Sequence, residues 1–191
     1  MNRRTTGQLS RAAIIAALYI LLTMAPPFNA IGYGPVQFRL GEALVLLPFI
    51  LDEAVLGIVV GCLVANLFSP FGLIDVICGT AVTAVAALLT RRLRRTRRPW
   101  LSVIPPILLN GLVVSLYVAI LSAPEAVALP PGSSLGATLQ FVVQHVSWKL
   151  YVPVAISVLA GEAAVTIILG LPVLALASRA VLRGPWRSRV S

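Results

Sequence analysis

The chain has 191 residues, 59% of them hydrophobic and 11% charged, with a mean hydropathy of +0.97 and a formal net charge of +9. A soluble protein carries about 25% charged residues, and half that density is too little to cover a water-facing surface of this size. A disordered chain would need low hydrophobicity. Both classes are excluded, which leaves an integral membrane protein whose apolar surface meets lipid, and the lack of period-2 alternation along the chain makes it all-α.

A membrane helix needs about 20 apolar residues. The length therefore predicts about six spans with short loops, a single transmembrane domain over residues 1–191. The first span is predicted at 9–25. The basic stretch before it has the shape of a signal-peptide start. No small-x-small site follows Ala25 cleanly, however, and the later charge pattern needs this segment as a span. Pro26 and Pro27 end it, because proline lacks the donor N–H and clashes with the preceding turn. A loop with Gly32, Gly34 and Pro35 follows, then a second span at 36–51 and a third at 53–68, broken by Ser69, Pro70 and Gly72. The fourth is predicted at 73–90, where an arginine-rich run, Arg91 to Arg98, interrupts. The fifth spans 100–122. Residues 123–147 read as a loop containing Pro124, Pro130, Pro131 and Gly132. The sixth span, 148–182, includes Pro153 and Pro172 and is long enough to tilt or kink. No segment alternates with period 2, so helices rather than a barrel are predicted.

Basic residues set orientation. With both termini in the cytoplasm, thirteen basic residues lie inside and only Arg39 and Lys149 outside. The opposite orientation reverses that ratio. The net charge is thereby explained by membrane orientation and anionic lipid heads. No aromatic-plus-basic module accompanies it, so no nucleic-acid partner is expected. The expected location is a bacterial-type inner membrane.

Polar residues inside lipid are expensive and usually face a cavity or a partner. They are Arg39, Glu42, Asn66, Asp75, Asn110 and Glu162. The predicted topology puts all six in the outer half or the middle of the membrane, none in the inner third. This predicts a cavity open to the outside with a polar floor. Structural readings stand beside it. Arg39 and Glu42, spaced i, i+3, form a local ion pair. Asp75 caps its helix. Asn66 and Asn110 join helices. Glu162 has no nearby basic residue in its own span. Trp148 and Lys149 read as interface-belt residues, and His145 as solvated. Cys62 and Cys78 lie in apolar runs and read as packing residues.

Small residues recur at helix-packing spacing: Ala12/Ala16, Ala13/Ala17 and Gly57/Gly61. They serve packing within the chain or docking of another membrane subunit. No H-E-x-x-H, G-x-S-x-G or phosphate-binding G-x-x-x-x-G-K-[ST] motif occurs. No enzyme activity, metal or cofactor is expected, and any ATP-driven transport must draw on another subunit.

Three stretches carry a family resemblance: Gly34-Pro-Val-Gln-Phe-Arg-Leu-Gly-Glu42; Gly61-Cys-Leu-Val-Ala-Asn66 leading to Leu73-Ile-Asp75 and Gly79-Thr80; and Gly161-Glu162 followed by Leu169-Gly-Leu-Pro172. Asn110 after Pro105-Pro106 fits the same pattern. Together they resemble the QueT-type queuosine-precursor transporters, substrate-binding S components of energy-coupling factor (ECF) transporters. The resemblance implies a six-helix S-component bundle with an outer small-molecule site. It also implies a transmembrane coupling subunit with two cytoplasmic ATPases, and a 7-deazaguanine substrate (preQ0, preQ1 or queuine). Gln37, Arg39, Glu42, Asn66, Asp75, Asn110 and Glu162 carry over as binding positions. Ala12, Ala13, Ala16 and Ala17 carry over as the coupling face.

The chemistry fits. A deazaguanine presents paired N–H donors suited to one carboxylate, a carbonyl acceptor and a pyrrole N–H. Glu162 or Asp75 suits the donors and Asn66 or Asn110 the carbonyl edge. Glu42 suits the amine of preQ1, and Tyr33, Phe38 or Tyr117 can stack on the base. The loop from Pro26 to Pro35 is then a candidate lid, or else a stiff connector. The alternative function is a proton-coupled secondary transporter using Glu162, although no inverted repeat is evident.

Overall fold

The computed structural model describes residues 3–26, 32, 38–123 and 132–183, and the described residues are helical with no strand. Helix α1 is Arg3–Met24, the α2 helix is a 3-10 helix over Leu40–Phe49, and α3 is Ala54–Asn66. Helix α4 covers Asp75–Thr96 and α5 covers Pro99–Leu121. Helix α6 is Leu135–Gln144. Helix α7 is built from Trp148–Ala164, Val165–Gly170 and Leu171–Arg183 in unbroken succession.

Among the described residues four helices, α1, α4, α5 and α7, are long and apolar enough to cross a membrane. The second and third predicted spans are shorter than expected. Ten residues of 3-10 helix and thirteen of α-helix each reach about 20 Å, against about 30 Å of bilayer hydrocarbon. Pro48 interrupts the donor pattern inside α2, and Asp52 opens the turn to α3. The predicted loop 123–147 also differs, since it contains α6. There the Ser134 hydroxyl accepts a hydrogen bond from the Ala137 N–H at 3.3 Å, and Thr138 and Val142 supply a buried face. A serine cap ahead of apolar residues at helical spacing was the signal for it.

The α2 helix lies at the centre. Residues Gly41 to Phe49 are all buried, and the helix packs on α1, α3, α4 and α7. Burial on every side suits a helix that is apolar all round apart from Glu42. Helix α1 packs closely on α3 through the predicted small residues. A β-carbon on Gly57 would lie 2.5 Å from the Ala12 carbonyl oxygen, and one on Gly61 would lie 3.0 Å from that of Ala16. Outward-facing residues such as Ile14, Leu21, Leu56, Ile156, Ile168 and Leu176 are exposed. A water-soluble protein does not present such a belt, whereas lipid covers it.

One end of this part of the bundle is held by partly exposed ion pairs. Arg94, at the end of α4, donates from Nε to the Phe49 carbonyl and from Nη2 to the Pro48 carbonyl, each at 2.8 Å. It thus satisfies carbonyls that the end of α2 leaves free. The same guanidinium pairs with Asp52 at 3.2 Å, while Arg11 of α1 pairs with Glu53. The turn between α2 and α3 is therefore clamped at the arginine-rich end.

Candidate binding site

The polar residues picked out by their cost in lipid converge on one buried cluster. Arg39, Glu42, Asn66, Asp75, Asn110 and Glu162 are each at most 4% exposed. Each comes from a different place in the chain: the approach to α2, α2 itself, and α3, α4, α5 and α7 supply them in turn.

Asp75 is the hub of one half. Arg39 donates from Nη2 to Asp75 Oδ2 at 2.7 Å, and the Tyr117 hydroxyl donates to Oδ1 at 2.5 Å. Arg39 Nε also donates to the Gly32 carbonyl at 3.3 Å. The ion pair of Arg39 is thus with α4, not the local one with Glu42. Asp75 is not a helix cap, since its side chain is spent on these two partners. Asn66 ties α3 to α4, donating from Nδ2 to the Asp75 carbonyl at 2.9 Å and the Thr80 hydroxyl at 3.2 Å. Space here is tight. A β-carbon on Gly79 would collide with Asp75 Oδ1 and sit 3.0 Å from the Tyr117 hydroxyl and 3.1 Å from Asn66 Nδ2.

Glu42 and Glu162 dominate the other half. The Tyr19 hydroxyl of α1 donates to Glu42 Oε1, and Asn110 donates from Nδ2 to Glu162 Oε1 at 2.9 Å. Asn110 also lies near enough to act on Glu42. The two glutamates feel each other and Arg39, so the halves form one electrostatic unit.

Four buried atoms in and around this unit have no hydrogen-bond partner among the described residues: Glu42 Oε2, Glu162 Oε2, Asn66 Oδ1 and Thr23 Oγ1. A buried unsatisfied polar atom costs about 1–3 kcal/mol. Native proteins therefore keep few of them without a reason. Three of the four are pure acceptors. The arrangement is suited to a molecule that arrives with several N–H donors.

The backbone marks the same level. Three π-helical stretches interrupt the long helices, at Asp75–Gly79, Asn110–Val114 and Val165–Gly170. The first two begin on a cluster residue. The third follows Glu162, whose carbonyl accepts from the Thr166 hydroxyl at 2.6 Å. Single π turns recur at functional sites, because the widened turn re-aims a side chain.

The remaining expectations divide. Gln37 and Tyr33 lie outside the described residues, as does most of the proposed lid. Phe38 is half-buried beside Arg39. Tyr117 is held by Asp75 and meets Phe71 edge to face, with ring centroids 6.2 Å apart. The alanines of α1 lie on two faces. Ala12 and Ala16 are largely buried against α3, whereas Ala13 and Ala17 face outward. Cys62 is more than filler: its sulfur lies 3.4 Å from Asn66 Nδ2 and 3.5 Å from the Thr83 hydroxyl. His145 is exposed and stacked on Phe141, and Trp148 is exposed. The sequence pattern singles out neither Tyr19 nor Thr23. A tyrosine or threonine inside an apolar run carries little weight alone, although the i, i+4 spacing of Tyr19 and Thr23 puts both on one face.

Comparison with known proteins supplies a family. The QueT transporter family matches residues 9–179. The chain is also similar to the "Queuosine precursor transporter QueT" of Lactococcus lactis subsp. cremoris (strain MG1363). The two are 40% identical over 85 residues, which is 44% of this chain and 50% of that protein. The aligned part thus spans half the length of this relative. No solved structure matches.

Proposed function

Because the chain belongs to the QueT transporter family and is a multi-pass cell-membrane protein, we propose that it is the substrate-capture subunit of an ECF-type importer. Its ligand is a queuosine precursor of the 7-deazaguanine type. The observation that carries the substrate class is the buried cluster with its unpartnered acceptors Glu42 Oε2, Glu162 Oε2 and Asn66 Oδ1. A deazaguanine brings matching donors: a ring N–H beside an exocyclic amine, and a pyrrole N–H. Glu162 takes the paired donors while Asn110 holds its other oxygen. Arg39, fixed by Asp75, keeps the site from being wholly acidic. Three carboxyl groups around one guanidinium favour preQ1, whose amine carries positive charge, with Glu42 as its acceptor.

The proposed membrane arrangement has six crossings with both ends in the cytoplasm. The short α2 and α3 cross as a pair, clamped at the cytoplasmic side by Arg94 and Arg11. The excess of arginine at that end supports this orientation. Ligand enters from outside, and the whole subunit reorients. The energy comes from two partner ATPases through a transmembrane coupling subunit that docks on the Ala13 and Ala17 face of α1.

Calorimetric titration of the detergent-purified protein with preQ1, preQ0, queuine and guanine tests the substrate. The expected result is tight binding of preQ1 and much weaker binding of guanine. Glu162→Gln should weaken binding by about tenfold or more, the worth of a hydrogen bond to a charged group. Absence of binding by folded protein overturns the substrate assignment. Uptake in cells lacking the coupling ATPases overturns the capture-subunit role.

A further inference from the structure

The far end of α4 carries charge of a different kind. A recess of about 420 Å³ is lined by Asp52, Leu88, Leu89, Arg91, Arg92, Arg94 and Arg95. Its charge is unbalanced. Arg94 is committed to Asp52 and to the last carbonyls of α2, and Glu53, the neighbouring acid, is paired with Arg11. Arg91, Arg92 and Arg95 therefore face the recess with no acidic partner among the described residues. Leu88, Arg91, Arg92 and Arg95 follow the i, i+3, i+4, i+7 spacing of a single helix face.

The order of residue types along that face points to a class of ligand. Leu88 and Leu89 are exposed, 44% and 41%, and one further turn brings the arginines. An apolar wall leading directly to a cluster of guanidinium groups matches an acyl chain leading to a phosphate. Guanidinium binds phosphate oxygens in pairs. A free phosphate compound would use the arginines but gain nothing from the leucines. We propose that this recess binds the headgroup phosphate of an anionic phospholipid of the cytoplasmic leaflet, with an acyl chain along Leu88 and Leu89. The lipid would brace the end of α4 against the clamped turn between α2 and α3. The proposal uses the membrane orientation given above but not the identity of the transported solute.

Native mass spectrometry of the detergent-purified chain, titrated with phosphatidylglycerol, phosphatidylcholine or glycerol 3-phosphate, tests it. Phosphatidylglycerol should bind at least about tenfold more tightly than either of the others, each arginine near a charged lipid surface being worth about a fivefold factor. Arg91→Gln combined with Arg95→Gln should remove most of that preference. The pair Arg97→Gln and Arg98→Gln, outside the recess, removes the same charge and should leave most of that preference in place. Equal losses in the two pairs overturn the site in favour of general attraction. Glycerol 3-phosphate binding as tightly as the lipid reassigns the recess to a free phosphate compound and overturns the lipid. Absence of any preference overturns the proposal outright. Arg94 is kept in every variant because it secures α2. Deazaguanine titration of the same variants separates this result from the substrate assignment, since the two sites share no residue.

Discussion

The two ends of α4 use charge in opposite ways. At its start, Asp75 is completely buried and bound to Arg39 and Tyr117, in a cluster with acceptors to spare. At its finish, Arg94 is partly exposed and holds neighbouring carbonyls and Asp52. A buried pair must repay the loss of hydration of both ions, so it is weak evidence for stability and better evidence for a role. A partly exposed pair keeps much of its hydration and adds modestly to stability. The first end has the character of a site and the second that of an anchor.

The sharpest way to break this contrast is Asp75→Asn. It removes one partner of a buried pair and leaves the Arg39 guanidinium with no counter-ion from α4. Loss of about 3–5 kcal/mol is expected, read as a fall in thermal midpoint in detergent together with loss of ligand binding. A fully stable Asp75→Asn protein would mean that Arg39 finds other partners and that Asp75 is not the hub.

Arg94→Gln should separate stability from binding. It removes two charge-assisted hydrogen bonds to the end of α2 and the pair with Asp52. The expected loss is about 1.5–3 kcal/mol, with affinity for the proposed ligand little changed. If affinity falls as steeply as stability, the end of α2 controls the placement of Glu42, and the division between site and anchor fails.

Gly79→Ala is a smaller change aimed at the site alone. The added methyl meets Asp75, Tyr117 and Asn66 at once, and overpacking of this kind costs about 1–3 kcal/mol. Ligand affinity should drop more than the thermal midpoint does. Unaltered affinity would show that the widened turn at Asp75–Gly79 yields without disturbing the hub.

Much of this contrast was visible in the sequence, for a physical reason. Charged and amide residues in lipid are so costly that Arg39, Glu42, Asn66, Asp75, Asn110 and Glu162 stood out singly, and the structure brings all six together. Their pairing was not legible. Arg39 and Glu42 at i, i+3 suggested each other, yet Arg39 reaches Asp75, 36 positions away. Tyr19 went unnoticed because a tyrosine in an apolar span has an ordinary place at a membrane surface; here it is wholly buried and donates to Glu42. The long helices were also legible, because apolar length is a strong signal. The shortness of α2 was not, because hydropathy does not distinguish 3-10 from α-helix. The π turns were equally silent. Glycine spacing pointed to close helix approach but could not say whether the partner lay in the same chain. Ala12 and Ala16 turned out to meet Gly57 and Gly61.

The smallest expected effect concerns Arg11 and Glu53. Their side chains are 24% and 9% exposed, so the pair lies between the two extremes compared above. It joins α1 to the beginning of α3, where Gly57 already brings the helices into contact. Partial hydration screens the attraction, and an exposed pair contributes about 0–1 kcal/mol. A double-mutant cycle with Arg11→Gln and Glu53→Gln isolates the coupling from each residue's other interactions. A value near the top of that range, with ligand affinity unchanged, fits an anchor. A coupling of about 3 kcal/mol, as for a desolvated pair, would assign the clamp the energetics of the buried cluster. The contrast along α4 would then reflect depth in the membrane alone, not a division between binding and anchoring.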